Sequence, residues 1–358
     1  MNNDKFIVLF SNSVAYLYQM HYDINERRDY VNKRRLGKTN LYVSEIGLGT
    51  WQLGGKWGEP FNHDLAIETL EAALKSGVNF YDTADVYNGG ESESALGDFL
   101  KAHPNDDIFI ATKAGRYLNP HIAKSYNEEN ITVFVKDSLK RLGVERLDIL
   151  QLHCPPTPVY DSEQTYIFLD NLVKKGYIKH YGVSVETVEE AKKAMKHKNL
   201  ATIQIIFNMF RLKPMEEVFE LAKKNDVGII VRVPLASGLL SGKMTKETVF
   251  SPSDHRYFNR DGQAFDKGET FSGVNYDLGL KAVDALKDLF PHQNLAQIAL
   301  RYILMFDAVS CVIPGASKPE HILSNIESTK LPPLTEAEMN AVKNIYDTYI
   351  KASVHHLW

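Results

Sequence analysis

Asp82 and Tyr87 stand five residues apart in Asp82-Thr-Ala-Asp-Val-Tyr87, directly after the apolar run Gly77-Val-Asn-Phe-Tyr81. A carboxylate and a phenol at the end of a buried strand suit proton handling. Lys113 closes Asp107-Ile-Phe-Ile-Ala-Thr-Lys113, and His153 closes Leu147-Asp-Ile-Leu-Gln-Leu-His153. Taken singly, each is more often a cap or a rim residue than a catalyst. Together they form a chemical set. A buried Lys113 and a buried Asp82 are each costly alone, and pairing them removes much of that cost. The pair leaves an ammonium beside the Tyr87 phenol. That charge is expected to draw the phenol pKa down from about 10 and make it a general acid. His153 is placed to hydrogen-bond a carbonyl oxygen near that hydroxyl. Proton donation to a carbonyl oxygen is half of a reduction. The hydride must come from a cofactor, because no side chain supplies one.

These four residues need a frame that brings consecutive strand ends together. From Arg35 the chain alternates short apolar strands with amphipathic helices. Val43–Trp51 reads as a strand ending in glycines, followed by helical spacing from Asp64 to Lys75 and a stop at Gly77. Further strands are expected at Ile108–Ala111, Leu147–Leu152, Ile178–Val183, Ala201–Ile206, Val227–Val231 and Val309–Ile313, with helices between them. After Pro234 the alternation breaks for about forty residues, a length that usually carries function. About eight strands, each followed by a helix, predict a single-domain (β/α)8 TIM barrel with a long loop after strand 7. A doubly wound sheet is the alternative, but no GxGxxG turn follows an early strand. Asp82, Lys113, His153, Ser184, Gln204 and Arg232 are all expected at strand carboxyl ends, where barrel enzymes place their chemistry.

Composition fits this frame. The chain has 358 residues, 44% hydrophobic and 24% charged, with a net charge of -4. That charge is too mild to point to nucleic acid or an anionic membrane. Two cysteines, Cys154 and Cys311, make neither a disulfide framework nor a metal-binding spacing. A cytoplasmic protein without a metal is expected. Residues 1–34 read as an N-terminal extension outside the core, with Met20 as an alternative start, and 35–358 as the barrel with a C-terminal tail. The run Phe6-Ile-Val-Leu-Phe10 is too short and too interrupted for a membrane span.

The chain resembles the aldo-keto reductase superfamily from about Arg35 to Asn325. The resemblance lies in Val43-Ser-Glu-Ile-Gly-Leu-Gly-Thr-Trp51, Gly77-Val-Asn-Phe-Tyr-Asp-Thr-Ala-Asp-Val-Tyr87, Gly90-Glu-Ser-Glu-Ser-Ala-Leu-Gly97 and Ala111-Thr-Lys113. It continues in Asp148-Ile-Leu-Gln-Leu-His153, Gly182-Val-Ser184, Val233-Pro-Leu-Ala-Ser-Gly-Leu-Leu-Ser-Gly-Lys243 and Ile313-Pro-Gly-Ala-Ser317. It implies a monodomain barrel and a nicotinamide cofactor, usually NADP(H), with NAD(H) left open. It also implies that Asp82, Tyr87, Lys113 and His153 form the catalytic tetrad. Ser184 and Gln204 match positions that hold the nicotinamide amide, though Val185 stands where the family usually has Asn. Arg232 stands where many members stack an aromatic residue on the nicotinamide, and a guanidinium can also stack. Leu235, Ser237, Gly238, Leu239 and Lys243 match the loop around the pyrophosphate. Gly315, Ala316, Ser317, His321 and Asn325 match the adenosine end, with Lys243 or Lys318 as the charge for a 2′-phosphate. For these loop residues the plain alternative is ordinary loop chemistry.

The expected reaction is NADPH-dependent reduction of a small aldehyde or ketone, with hydride from nicotinamide and a proton from Tyr87. Two alternatives belong to other classes: a lyase using Lys113 as a Schiff-base nucleophile, and a non-catalytic cofactor-sensing subunit of a larger assembly. Oligomeric state is not legible. Cys154 reads as a packed residue. The terminal His355-His356-Leu357-Trp358 reads as an apolar end folding back over the barrel mouth.

Overall fold

The computed structural model describes residues 31–55 and 59–358. The expectations for residues 1–30 lie outside the described residues. Eight parallel strands follow one another around a single sheet in chain order. They are β1 (Leu48–Gly49), β2 (Phe80–Asp82), β3 (Phe109–Ala114), β4 (Leu147–His153), β5 (Ile178–Ser184), β6 (Thr202–Ile206), β7 (Gly228–Arg232) and β8 (Val309–Val312). Parallel bridges Ile46–Val312 and Gly49–Gly315 join β8 to the start of the sheet and close the barrel. The long loop follows β7, as expected.

The first expected strand divides in two. Tyr42–Ser44 pairs antiparallel with Lys33–Arg35 as a hairpin, and only Leu48–Gly49 enters the barrel. Glu45 marks the break. It is buried and ion-paired to Arg34 at 3.0 Å. The Arg34 guanidinium also donates to the carbonyls of Leu304, Phe306 and Val309, tying the hairpin to the amino end of β8.

Side-chain alternation stacks the barrel interior in layers. Phe80, Ala111, Ile149 and Ile230 form an apolar floor with Cys311 and Ile313. Two residues further along the same strands stand Asp82, Lys113, Gln151 and Arg232, and two beyond Gln151 stands His153. The polar layer therefore lies directly above a dry one, toward the carboxyl end. Gln204 departs from expectation. It is third of the five residues of β6 rather than at its end, and Ile206, not Gln204, pairs with Arg232 on the neighbouring strand.

The surrounding helices begin where the sequence supplies caps. Asn62 accepts from the Leu65 N–H before His63–Lys75, and Asn127 accepts from the Asn130 N–H before Glu128–Leu142. Each such cap is worth about 1 kcal/mol. Thr187 and Glu190 form a reciprocal capping box before Val188–Ala194. Glu128–Leu142 ends at Gly143, whose φ of 65° closes the last turn.

Candidate active site

Lys113 is the hub of the polar layer. Its Nζ donates to Asp82 Oδ1, to the Thr83 carbonyl at 2.9 Å and to Tyr87 Oη at 3.1 Å. Its side chain is 1% exposed, so the charge is held by these partners and not by water. The other Asp82 oxygen accepts from Gln204 Nε2 at 2.6 Å and Gln151 Nε2 at 3.2 Å. Removing one member of a buried ion pair costs about 3–5 kcal/mol, so Asp82 and Lys113 depend on each other. The His153 ring meets the Tyr87 ring edge-on, with centroids 5.9 Å apart. The four residues expected to act together are thus in one place.

Burial alters their charges. It pushes the Tyr87 hydroxyl up, against the pull of the Lys113 ammonium. The downward draw expected from the cation alone is therefore reversed, and the phenol stays protonated near neutrality. Burial would push Lys113 down, but Asp82 and Tyr87 outweigh it and hold the ammonium above its usual range. Burial, then Lys113, Arg116 and Arg232, hold His153 well below its usual value, so its imidazole is neutral. A neutral imidazole keeps one N–H to donate to an oxygen.

A cavity of about 570 Å³ opens above this layer. Asp82, Tyr87 and His153 line its reacting end, with Ser184, Gln204 and Arg232 beside them. Leu235, Ser237, Gly238 and Gly315 line its far side. Leu239, Lys243, Ser317, His321 and Asn325 lie off the cavity. Leu239 is fully buried, Lys243 and His321 are exposed, and Asn325 is buried. Ser317 Oγ lies 3.2 Å from His321 Nδ1, and Lys243 and Lys318 both act on the charge of that ring. Ser317, Lys318 and His321, just beyond Gly315 in the chain, thus form one group with Lys243.

The chain matches the model of the "Aldo/keto reductase family" over residues 45–347. It is 30% identical over 323 residues to the "Uncharacterized oxidoreductase YqkF" of Bacillus subtilis (strain 168), covering 88% of this chain and 96% of that one. It is 26% identical over 325 residues to the "NADH-specific methylglyoxal reductase" of Escherichia coli (strain K12), covering 84% and 94%. Among solved structures, the glycerol dehydrogenase AKR11B4 from Gluconobacter oxydans superposes with a TM-score of 0.72 at 29% identity, covering 89% and 96%. The chain belongs to the aldo-keto reductase family. It is an NAD(P)H-dependent oxidoreductase acting on carbonyls or alcohols.

The residues present fit a nicotinamide dinucleotide. The cavity has the volume of a ligand site and runs from Asp82, Tyr87 and His153 to the Leu235–Gly238 turn and Gly315. At Gly315 the nearest side-chain atom to an added Cβ is Gln52 Oε1 at 3.5 Å, which leaves room for a ligand against the backbone.

In this aldo-keto reductase the long loop supplies more of the site than its sequence suggests. Glu269, in a short turn at Lys267–Glu269, accepts from Arg232 Nη1. Arg232 Nη2 donates to Glu186 at 2.9 Å and to the Val185 carbonyl at 2.9 Å, and touches Cys154 Sγ at 3.7 Å. Arg232 is therefore fixed at the end of β7 by two carboxylates. Ligand atoms of Cys154, Glu186 and Glu269 come within 4.8 Å of one another, as in a metal site. The Arg232 guanidinium already contacts all three, and burial pushes the Cys154 thiol up to about 12. Burial also pushes Glu186 up to about 7, against Arg232. Burial would raise Glu269 too, but Arg232, Arg116 and Arg211 hold it below its usual value.

Sequence reasoning missed Arg116, Glu186 and Glu269, and the aromatic wall of Trp51, His255 and Phe265. The Trp51 ring lies 4.8 Å from His255 and 6.4 Å from Phe265. Arg116 and Glu186 stand three and two residues beyond Lys113 and Ser184, close enough to strand ends to have been considered. Glu269 left no signal, since its loop has no period.

Proposed function

We propose that this enzyme reduces an aldehyde or ketone to the alcohol, with Tyr87 as proton donor and NADPH as the favoured cofactor. The observation that carries this is the hydrogen bond from Lys113 Nζ to Tyr87 Oη at 3.1 Å within a pair anchored on Asp82. When bound, the dinucleotide supplies the hydride. Tyr87 Oη gives its proton to the carbonyl oxygen, and the Lys113 ammonium stabilises the phenolate left behind. Asp82 keeps Lys113 charged and fixed. His153, neutral and on the cavity wall, donates to the same oxygen and orients it. Ser184 and Gln204 border the space beside the reacting end, and Arg232 offers a flat cationic surface there.

The basic residues Lys243 and Lys318 near His321 support a 2′-phosphate contact and thus NADPH. The relative named as NADH-specific favours the opposite preference, so the choice rests on this chain's own cations. The charged state of Lys113 supports an electrostatic role over a Schiff base, which needs a free amine. The test is loss of NADPH absorbance with a panel of reactive aldehydes and ketones. Carbonyl-dependent oxidation is expected. No oxidation with any carbonyl, together with borohydride trapping of substrate on Lys113, would overturn the proposal in favour of a lyase.

A further inference from the structure

Three arginines border the cavity, and two of them are held by carboxylates at hydrogen-bond distance. Arg232 is held by Glu186, Glu269 and the Val185 carbonyl. Arg256 donates to Asp254 through Nε at 2.9 Å and Nη2 at 2.6 Å, and its guanidinium lies 4.8 Å from the Phe250 ring centre. Arg116 differs. It follows Gly115, whose φ of 116° turns the chain at the end of β3. Among the described residues its one polar contact is an ion pair with Glu186 at 3.7 Å, too long for a hydrogen bond. Its side chain is 27% exposed and lines the cavity. A planar fork of five donors thus faces the cavity with only a loose partner.

The surrounding charges point to what would complete it. After burial, Lys113, Arg116 and Arg232 all press His153 toward its neutral form, while Glu269 and Glu186 act on Arg116 with the opposite sign. Glu186 commits one oxygen to Arg232, and its Oε1 is buried without a hydrogen bond. Glu269 is taken by Arg232. A single negative charge on a flat group would match the fork bidentately. A dianionic phosphate would face two carboxylates, Glu186 and Glu269, and is disfavoured.

We infer that Arg116 is a specificity-determining residue, and that the preferred substrates are short carbonyl compounds carrying one carboxylate near the carbonyl. The inference rests on the carbonyl-reductase reading of the site. The carboxylate lies on Arg116 while the carbonyl oxygen lies at Tyr87 and His153. A 2-oxo acid, one NAD(P)H and one proton then yield a 2-hydroxy acid and NAD(P)⁺. A semialdehyde acid yields the corresponding ω-hydroxy acid by the same balance.

The test compares pyruvate with methyl pyruvate, and succinic semialdehyde with its methyl ester, in the wild type, Arg116→Gln and Arg116→Lys. In the wild type the acid of at least one pair is expected to exceed its ester in kcat/KM by about tenfold or more. In Arg116→Gln that acid-to-ester ratio should fall by about thirtyfold or more, chiefly through KM for the acid, with partial recovery in Arg116→Lys. Wild type that prefers both esters would overturn the inference and leave the reductase intact. So would an Arg116→Gln variant that loses acid and ester turnover equally, since that is a structural defect. If the wild type reduces none of the four while other carbonyls still drive NADPH oxidation, the substrate inference fails and the reductase reading stands. Calorimetric titration with oxamate, an unreactive carboxylate, then decides the anion site alone. Binding to wild type and its loss in Arg116→Gln supports the site, and equal or absent binding in both overturns it.

Discussion

At Tyr87 two influences of opposite sign meet, and burial outweighs the cation. The phenol is pushed above its ordinary value of 10.0 although Lys113 lies 3.1 Å away. Reduction by this proton donor should therefore stay flat from about pH 7 to about pH 9, because the phenol keeps its proton across that range. A descending limb in kcat that begins near neutrality would show a depressed phenol instead. Asp85 gives a second residue-scale prediction. It is buried, and neither carboxyl oxygen makes a well-formed hydrogen bond. Burial, then Glu93, pushes its carboxyl up to about 7. The folded protein thus holds a proton that the unfolded chain releases near the ordinary value of 3.8. The linked stability is present at low pH, is lost as pH rises toward 7, and stays lost above it. Asp85→Asn removes the ionisation. It is expected to raise the melting temperature more at about pH 8 than at about pH 5. An equal change at both would mean Asp85 is ionised throughout.

The long loop after β7 is held by side chains far from it in sequence. Its anchor is Trp358, at the end of the chain. The indole Nε1 donates to Asp266 Oδ1 at 3.1 Å, and the ring lies 4.2 Å from the Arg211 guanidinium. The ring also fills the space beside Gly273, where an added Cβ would come within 2.0 Å of it. Asp266 Oδ1 in turn accepts from the Gly268 N–H at 2.7 Å, next to Glu269 and its contact with Arg232. Deleting Trp358 should raise protease cleavage of the loop near Val249, which is 91% exposed, at temperatures where the barrel stays folded. Unchanged cleavage would show that the loop holds itself. The same element explains what was legible in the sequence. Strand ends were readable because each apolar run gives way to a polar residue, which put Asp82, Lys113 and His153 at or near those ends. The hairpin was not, because Val43 and Leu48 look like one strand until buried Glu45 separates them. Arg232 was readable, but its partner Glu269 was not, because the two stand 37 residues apart along a stretch without a period.

At the scale of the whole molecule, cofactor binding should appear as stability. A ligand at about 100 times its Kd that binds only the folded state adds about 2.7 kcal/mol, a shift of several degrees in Tm. At equal concentrations NADPH should raise Tm more than NADH if Lys243 and Lys318, which both act on the His321 ring, hold the 2′-phosphate as proposed. Equal shifts would show that these cations hold no 2′-phosphate. The barrel makes that coupling possible, since its strands converge on the cavity and close through Gly49 and Gly315. The most direct measurement of the central claim is single-turnover reduction of a reactive aldehyde by dinucleotide-loaded wild type and Tyr87→Phe. The variant is expected to bind the dinucleotide with a Kd within about twofold of wild type and to reduce the aldehyde at least about a hundredfold more slowly. A variant that binds the dinucleotide and reduces at the wild-type rate would contradict Tyr87 as the proton donor.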